Sequence, residues 1–297
     1  MTPRLSQHFL HDRSVAARIA DSVSARRGNR VVEIGPGRGA LTGPLLERGL
    51  RVHAIELDRT LAAELRERWG GREEFELVEG DALDVALPKA APDDPVWVVG
   101  NLPYAITSPL LFHLLDQIER ARIAGMVLMI QREVAERLAA GPGTKAYGAL
   151  TVGVRLVVDV ERLFDVGPGA FRPPPTVVSS VVRLTPHDRF GLTAERRERL
   201  RALVQALFGH RRKQIQKSLR TLPGWCLDRE GVLRVAELTE LDLARRPETL
   251  SPEEFLALEA ALRDPCHPGG TPGVFSTEAA TSRRDGGAAG RPRNGLQ

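Results

Sequence analysis

Asn101-Leu102-Pro103-Tyr104 is the stretch of this chain whose residue types are best suited to chemistry. It follows the apolar run Val96-Trp97-Val98-Val99-Gly100, which reads as a buried strand. An Asn-x-Pro-aromatic tetrapeptide at a strand end can grip one chemical group, the exocyclic amine of a planar base. The Asn carboxamide oxygen and a neighbouring main-chain carbonyl both accept hydrogen bonds from an NH2 group. Proline stiffens the turn and sets where those acceptors point. The Tyr104 ring offers a flat face for stacking. The chemistry implied is a reaction at the amino group of adenine. Read alone, the tetrapeptide also fits an ordinary strand-end turn with a buried Tyr, so the reading needs a donor site beside it.

Such a site is legible in Glu33-Ile34-Gly35-Pro36-Gly37-Arg38-Gly39, a glycine-rich turn after the apolar run that begins at Arg30. Glycine allows close backbone approach and positive φ. Strand-to-helix turns of this kind are where open α/β sheets bind nucleotides. A dinucleotide site prefers Gly-x-Gly-x-x-Gly. Here the spacing is Gly-x-Gly-x-Gly, with an acid two residues before the first glycine. That departure points to S-adenosylmethionine, its amino-acid end over Gly35 and Gly37. Glu56 ends the next strand, about 20 residues past the loop, where an acid binds both ribose hydroxyls. Asp81 opens Gly80-Asp81-Ala82 after a third strand, where its carboxylate can take the adenine amine of the donor. Each acid has a plainer reading: Glu56 as a surface acid in a charged turn with Asp58, Asp81 as a helix N-cap. Loop, first acid, second acid and Asn101 each end a successive strand, and that order carries more weight than any one member.

The elements that must position these groups follow from periodicity. An amphipathic helix is expected from Asp12 to Ser24, with Val15, Ala16, Ile19, Ala20 and Val23 on one face. Strands are expected at 30–34, 51–56, 75–79, 96–100 and 126–130. Helices are expected around Leu61, Leu65 and Trp69 and from Ser108 to Gln117. Alternating strands and helices make an α/β fold with a mostly parallel sheet wound on both faces. Beyond Leu150, the stretches Thr151–Val158 and Ser179–Leu184 read as an antiparallel edge pair separated by Phe171-Arg172-Pro173-Pro174-Pro175. Residues 192–262 read as helical, broken near Pro223-Gly224 and Arg246-Pro247. After Asp264 the chain is rich in Pro, Gly, Thr, Ser and Arg and nearly devoid of apolar residues, so disorder is expected there. The expected division is 1–190 as an α/β domain, 191–264 as a helical domain and 265–297 as a tail.

Composition permits this reading without demanding it. The chain has 297 residues, is 42% hydrophobic and carries a net charge of +4, with a pI of about 9.5. Four of its 42 basic residues are lysine, which reads largely as a bias toward Arg. The two cysteines, Cys226 and Cys266, lie far apart and form no metal-ligand spacing, so a reducing compartment and no metal are expected. There is no apolar stretch of membrane-span length and no signal-peptide core at the N-terminus, so a cytoplasmic location is expected. Between Gly191 and Arg220, nine Arg or Lys face two Glu. Arg211, Arg212, Lys213 and Lys217 are candidates for salt-dependent contacts to RNA phosphates. The alternative is a solvated helix face in an Arg-rich chain.

Together these segments resemble the rRNA adenine N6-dimethyltransferases. The resemblance runs from about Leu5 to Leu262 and also includes Gln7-His8-Phe9-Leu10, Gln131-Arg132-Glu133-Val134-Ala135 and Phe171-Arg172-Pro173-Pro174-Pro175-Thr176-Val177. It implies a Rossmann-like S-adenosylmethionine-dependent methyltransferase sheet with a small all-helical C-terminal domain. It implies that His8, Leu10, Gly35, Gly37, Glu56, Asp81, Ala82 and Asn101 hold the donor, and that Asn101, Leu102, Pro103 and Tyr104 do the chemistry. Phe171 is a candidate for the second face of the target base, or else a core plug under the proline-rich loop. Phe208-Gly209-His210-Arg211-Arg212-Lys213 and Arg245-Arg246-Pro247-Glu248-Thr249-Leu250-Ser251-Pro252-Glu253-Glu254-Phe255 are similar to signatures of the kasugamycin-resistance branch. That branch dimethylates two adjacent adenines in the 3′-terminal hairpin of small-subunit rRNA, which implies a 30S assembly intermediate as partner and a monomeric enzyme. The macrolide-resistance branch, which modifies one large-subunit adenine, is the first alternative. A DNA adenine methyltransferase and a non-catalytic ribosome assembly factor are the others. The chain departs from the family pattern at Ser6, where Gly is usual, at His8, where Asn is usual, and at Gln214-Ile215, where Thr-Leu is usual.

Overall fold

The computed structural model describes residues 8–91, 94–222 and 225–262. Gln7, Pro223-Gly224 and the tail at 265–297 lie outside the described residues. In chain order the elements are β1 (Phe9–Leu10), α1 (Arg13–Asp21), β2 (Arg30–Ile34), α2 (Thr42–Glu47), β3 (Arg51–Glu56), α3 (Arg59–Trp69), β4 (Phe75–Glu79), β5 (Val96–Asn101), α4 (Thr107–Asp116) and α5 (Ile118–Ala121). There follow β6 (Ile123–Gln131), α6 (Arg132–Ala139), α7 (Ala149–Arg155), β7 (Val158–Val166), β8 (Phe171–Arg172), β9 (Ser179–Pro186), α8 (Ala194–Gly209), α9 (Ile215–Leu219), α10 (Arg229–Thr239) and α11 (Pro252–Leu262).

Seven strands form one sheet in the order β4-β3-β2-β5-β6-β9-β7. The first five are mutually parallel, whereas β9 runs antiparallel to β6 and β7 antiparallel to β9. The inner parallel strands β2, β5 and β6 are largely apolar on both faces because helices cover both, whereas β4, at the edge, is half exposed. Neighbouring residues divide accordingly: Val32, Val98 and Leu128 enter one core with α4, while Val31, Val99 and Val127 enter the other with α1 and α2. A third core gathers α8 to α11 around Leu203, Leu207 and Phe255. Among the described residues no helix is long and apolar enough to cross a membrane.

The expected strand at Thr151–Val158 is a correction. Thr151 to Arg155 belong to α7, and the strand begins only at Val158 and runs to Val166. The β-branched residues suggested a strand, but packing overrides that preference. Leu150 and Val154, four apart, enter the sheet core. Val152 and Leu156, also four apart, enter the helical core. Only a helix presents both pairs to opposite sides. Thr151 closes its first turn, accepting from the Gly148 N–H and donating to the Arg137 carbonyl. α6 was not anticipated as a helix, and α1 stops at Asp21, three residues before the expected end.

One glycine of the β2–α2 turn shows how tightly the sheet end is packed. Gly39 has φ +78°, and a Cβ there would lie 2.1 Å from the Trp69 ring of α3. Gly28 also has positive φ (+86°) but open space around it. Gly39→Ala is therefore expected to cost about 2–5 kcal/mol, combining left-handed strain with displacement of the Trp69 ring. Gly28→Ala is expected to cost only the strain, about 1–2 kcal/mol. Urea unfolding of the two variants checks this, and equal losses would contradict the packing argument.

Candidate active site

β2 pairs with β3 on one side and β5 on the other, so the strand order reverses between β2 and β5. Connections leave on opposite faces at such a point, and a crevice opens beyond the strand ends. Here it is a cavity of about 1160 Å³. His8, Leu10, Gly35, Gly37, Glu56, Asp81, Ala82 and the whole tetrapeptide Asn101 to Tyr104 line it. The residues expected to hold the donor and those expected to do the chemistry thus share one space. Its volume exceeds the usual range of about 300–1,000 Å³ for a single small-molecule site.

On the donor side, Gly35 and Gly37 have φ of +62° and +58°. A Cβ on Gly37 would come 3.2 Å from the Phe9 ring, so the loop stays low only as glycine. Glu56 is 4% exposed and accepts from the Gly37 N–H through Oε2 and from the Asp58 N–H through Oε1, each at 2.9 Å. Burial pushes its carboxyl above the ordinary value, and those two hydrogen bonds work against the rise. Each carboxylate oxygen has a second lone pair, so the group so held can still take a vicinal diol. Asp81 serves as the turn cap as well: its Oδ1 accepts from the Leu83 N–H at 2.9 Å. Its Oδ2 has no partner among the described residues. This donor set, two oriented carboxylates and a glycine cradle, suits the ribose, adenine amine and amino-acid end of S-adenosylmethionine.

On the acceptor side, β1 passes over the cavity as a strap, paired antiparallel with β8. The Asn101 Nδ2 donates to the His8 carbonyl at 3.1 Å, which turns the carboxamide so that Oδ1 faces away from the strap. The His8 Nδ1 donates to the Pro173 carbonyl at 2.8 Å. The Leu102 N–H donates to the Met129 carbonyl at 3.0 Å and its side chain is buried, so the main chain just past β5 is anchored to β6. The Tyr104 ring starts a 3-10 turn over Tyr104–Ile106 and lies 5.9 Å from the His8 ring at 31°.

Two of the residues expected at the RNA have partners inside the chain. Phe171 is 2% exposed and sits in the core beside Leu10, its partner in the β1–β8 pair, so it plugs the base of the proline-rich loop. Arg211 pairs with Glu248 at 2.9 Å and donates to the carbonyls of Thr144 and Lys145, fastening the loop after α6 to the helical region. Arg212, Lys213 and Lys217 are exposed, away from the cavity, with no acidic partner among the described residues. Of the α8 arginines, Arg196 and Arg199 grip the buried Glu259, Arg197 pairs with Glu119, and Arg201 pairs with Asp116.

Glu33 also lines the cavity; it marked the glycine loop in the sequence but was given no role in the site. It is 1% exposed under the glycine loop, and the Thr42 Oγ1 donates to its Oε2 at 2.7 Å. A lone acid inside an otherwise apolar run, on a strand buried on both faces, was the available signal. Burial pushes its carboxyl up to about 7, with repulsion from Glu56 adding to the rise and the Thr42 hydrogen bonds opposing it. From 4.5, its ordinary value, up to about 7 the folded chain holds a proton that the unfolded chain has lost. Stability therefore falls as pH rises across that window and levels off above it. Glu33→Gln is expected to remove this slope and to be more stable than the parent at pH 8, by an amount on the order of 3 kcal/mol. Urea unfolding at a series of pH values measures it, and an unchanged slope would exclude Glu33 as its source.

Comparison with known proteins agrees with this geometry. The family described as Ribosomal RNA adenine dimethylase matches residues 1–258. Ribosomal RNA small subunit methyltransferase A of Alcanivorax borkumensis is 42% identical over 263 residues, 88% of this chain and 90% of that protein. A dimethyladenosine transferase from Plasmodium falciparum superposes with a TM-score of 0.71 at 29% identity, covering 84% of this chain and 96% of that one. The 23S rRNA methyltransferase ErmE superposes with a TM-score of 0.64 at 30% identity, covering 86% and 99%. The match spans both halves of the cavity, from the strap at His8 through the tetrapeptide at Asn101, and continues into the helical region: the chain belongs to the ribosomal RNA adenine dimethylases.

Proposed function

We propose that this protein transfers methyl groups from S-adenosylmethionine to N6 of two adjacent adenines in the 3′-terminal hairpin of small-subunit rRNA, giving N6,N6-dimethyladenine. The observation that carries the reading is the carboxamide of Asn101, held by the His8 carbonyl at 3.1 Å in the cavity that Glu56 and Asp81 also line. S-adenosylmethionine, when bound, supplies a methyl group on a positively charged sulfur. Glu56 binds the ribose diol, Asp81 the adenine amine, and the Gly35–Gly37 loop with His8 and Leu10 the amino-acid end.

The chain's contribution at the acceptor is positioning and electrostatics. Adenine N6 is a poor nucleophile because its lone pair is delocalised into the ring. The Asn101 Oδ1 and the Leu102 carbonyl accept its two N–H bonds, draw N6 toward tetrahedral geometry and localise the lone pair. Pro103 holds the turn, and Tyr104 stacks on the base, which must leave its helix to arrive there. The proton released from N6 passes to water. A monomethylated amine has one proton left, so the second transfer proceeds with one acceptor engaged and room for the first methyl beside it.

The partner in this reading is a 30S assembly intermediate met by a monomeric, cytoplasmic enzyme. Residues 1–190 form the methyltransferase domain and 191–264 the RNA-contacting domain. Arg212, Lys213 and Lys217 supply phosphate contacts. The small-subunit methyltransferase relatives support this substrate over a large-subunit adenine.

Mass spectrometry of small-subunit rRNA, after incubation of the particle with protein and labelled donor, is expected to find N6,N6-dimethyladenine at two neighbouring positions. Label in 23S rRNA alone would favour the macrolide-resistance reading. Asn101→Ala is expected to lower kcat at least about 100-fold while calorimetric donor affinity stays near the parent's. Unchanged turnover would sink the mechanism. Glu56→Ala is expected to do the reverse, with its main effect on donor affinity.

A further inference from the structure

The Tyr104 hydroxyl lies 2.9 Å from the Oγ of Ser179, and the chemistry above uses neither group. Ser179 is fully buried at the first position of β9, a strand with partners on both sides: Ser179 is opposite Gln131 of β6 and Val166 of β7. Its neighbour Ser180 is bonded through Oγ to Asp165. The serine is thus part of the sheet and has little freedom to move.

A tyrosine ring attached only at its backbone swings about χ1 and tilts about χ2. The hydrogen bond to Ser179 fixes the far tip of the ring. The His8 ring, 5.9 Å away and inclined by 31°, leans on the same side chain. With its hydroxyl engaged inside the chain, Tyr104 offers a ligand the face of its ring. We propose that Ser179 is a positioning residue for methyl transfer: through the Tyr104 hydroxyl it sets the angle of the ring against which the target adenine stacks. This rests on the reading of Tyr104 as the base platform.

A base stacked at the wrong angle is still held but presents N6 poorly to Asn101. Loss of the hydrogen bond therefore falls on kcat more than on KM for RNA. Ser179→Ala and Tyr104→Phe each remove one hydroxyl and little else. Each is expected to lower kcat by about three- to tenfold, the scale of one net hydrogen bond, with donor affinity by calorimetry unchanged. Because both remove the same interaction, the double variant is expected to be no slower than either single one. Parent-like kcat in Ser179→Ala, or losses that multiply in the double variant, would overturn the proposal, since a merely structural serine acts independently of the Tyr104 hydroxyl. Tyr104→Ala separates the two layers. If it methylates normally, the platform reading itself fails. If it is inactive while Ser179→Ala and Tyr104→Phe are normal, only the role of Ser179 fails.

Discussion

The parallel pairing of β2 with β5 is the constraint on which the site depends. Val31 to Ile34 lie opposite Trp97 to Gly100, so the glycine loop and Asn101 leave the sheet side by side. Gly100 permits that approach: a Cβ there would meet the Ile34 carbonyl at 2.7 Å. Because the strand order reverses here, no crossover helix covers the ends, and the cavity of about 1160 Å³ forms where the glycine loop and the tetrapeptide meet. β1 then crosses the gap. Its Phe9 ring rests on Gly37, the Arg38 guanidinium lies 5.2 Å from that ring, and the carbonyl of His8, the residue just before the strand, holds Asn101. One short strand thereby links donor loop and acceptor side chain.

The same crevice concentrates carboxyl groups. Glu33, Glu56, Asp58 and Asp81 line it, opposed by Arg38 and Arg59. Burial raises Glu33 and Glu56, with repulsion from Glu56 adding to the first and from Asp58 to the second, which is a cost to the fold. A ligand with a sulfonium and an ammonium group offsets that cost, whereas a pyrophosphate would add to it. The electrostatics thus independently support the choice of donor that the glycine spacing first suggested.

β2, β3 and β4 were legible to the residue because each is a short, mainly β-branched or apolar segment bounded by turns, although β4, at the sheet edge, is only half buried. The cavity residues Glu56, Asp81 and Asn101 stood out because each ends or closely follows a strand. What escaped the sequence were features decided by neighbours far along the chain. α7 resembles a strand in composition, and its helical form follows from serving two cores at once. Phe171 has the right residue type for a base-stacking partner, but pairing of β8 with β1 turns it into the core. Arg211 and the α8 arginines lie in a basic run that looked like an RNA surface, yet their partners Glu248, Glu259, Glu119 and Asp116 lie 37 to 85 residues away along the chain. Charge runs report composition, and only tertiary contacts report which charges are spent.

Those spent charges have a consequence for how the helical region meets the site. Arg201 pairs with Asp116 at the end of α4, and its guanidinium also lies 4.6 Å from the ring of Phe112 on the same helix. Arg197 reaches Glu119 at the start of α5. α4 begins directly after the 3-10 turn that carries Tyr104. The helix leading out of the tetrapeptide is therefore braced at its far end by α8. Exposed pairs of this kind contribute little energy singly, but a planar guanidinium shared between a carboxylate and a ring fixes direction as well as distance. The helical region, besides presenting Arg212, Lys213 and Lys217 to solvent, thus holds one end of the element whose other end positions the Tyr104 ring.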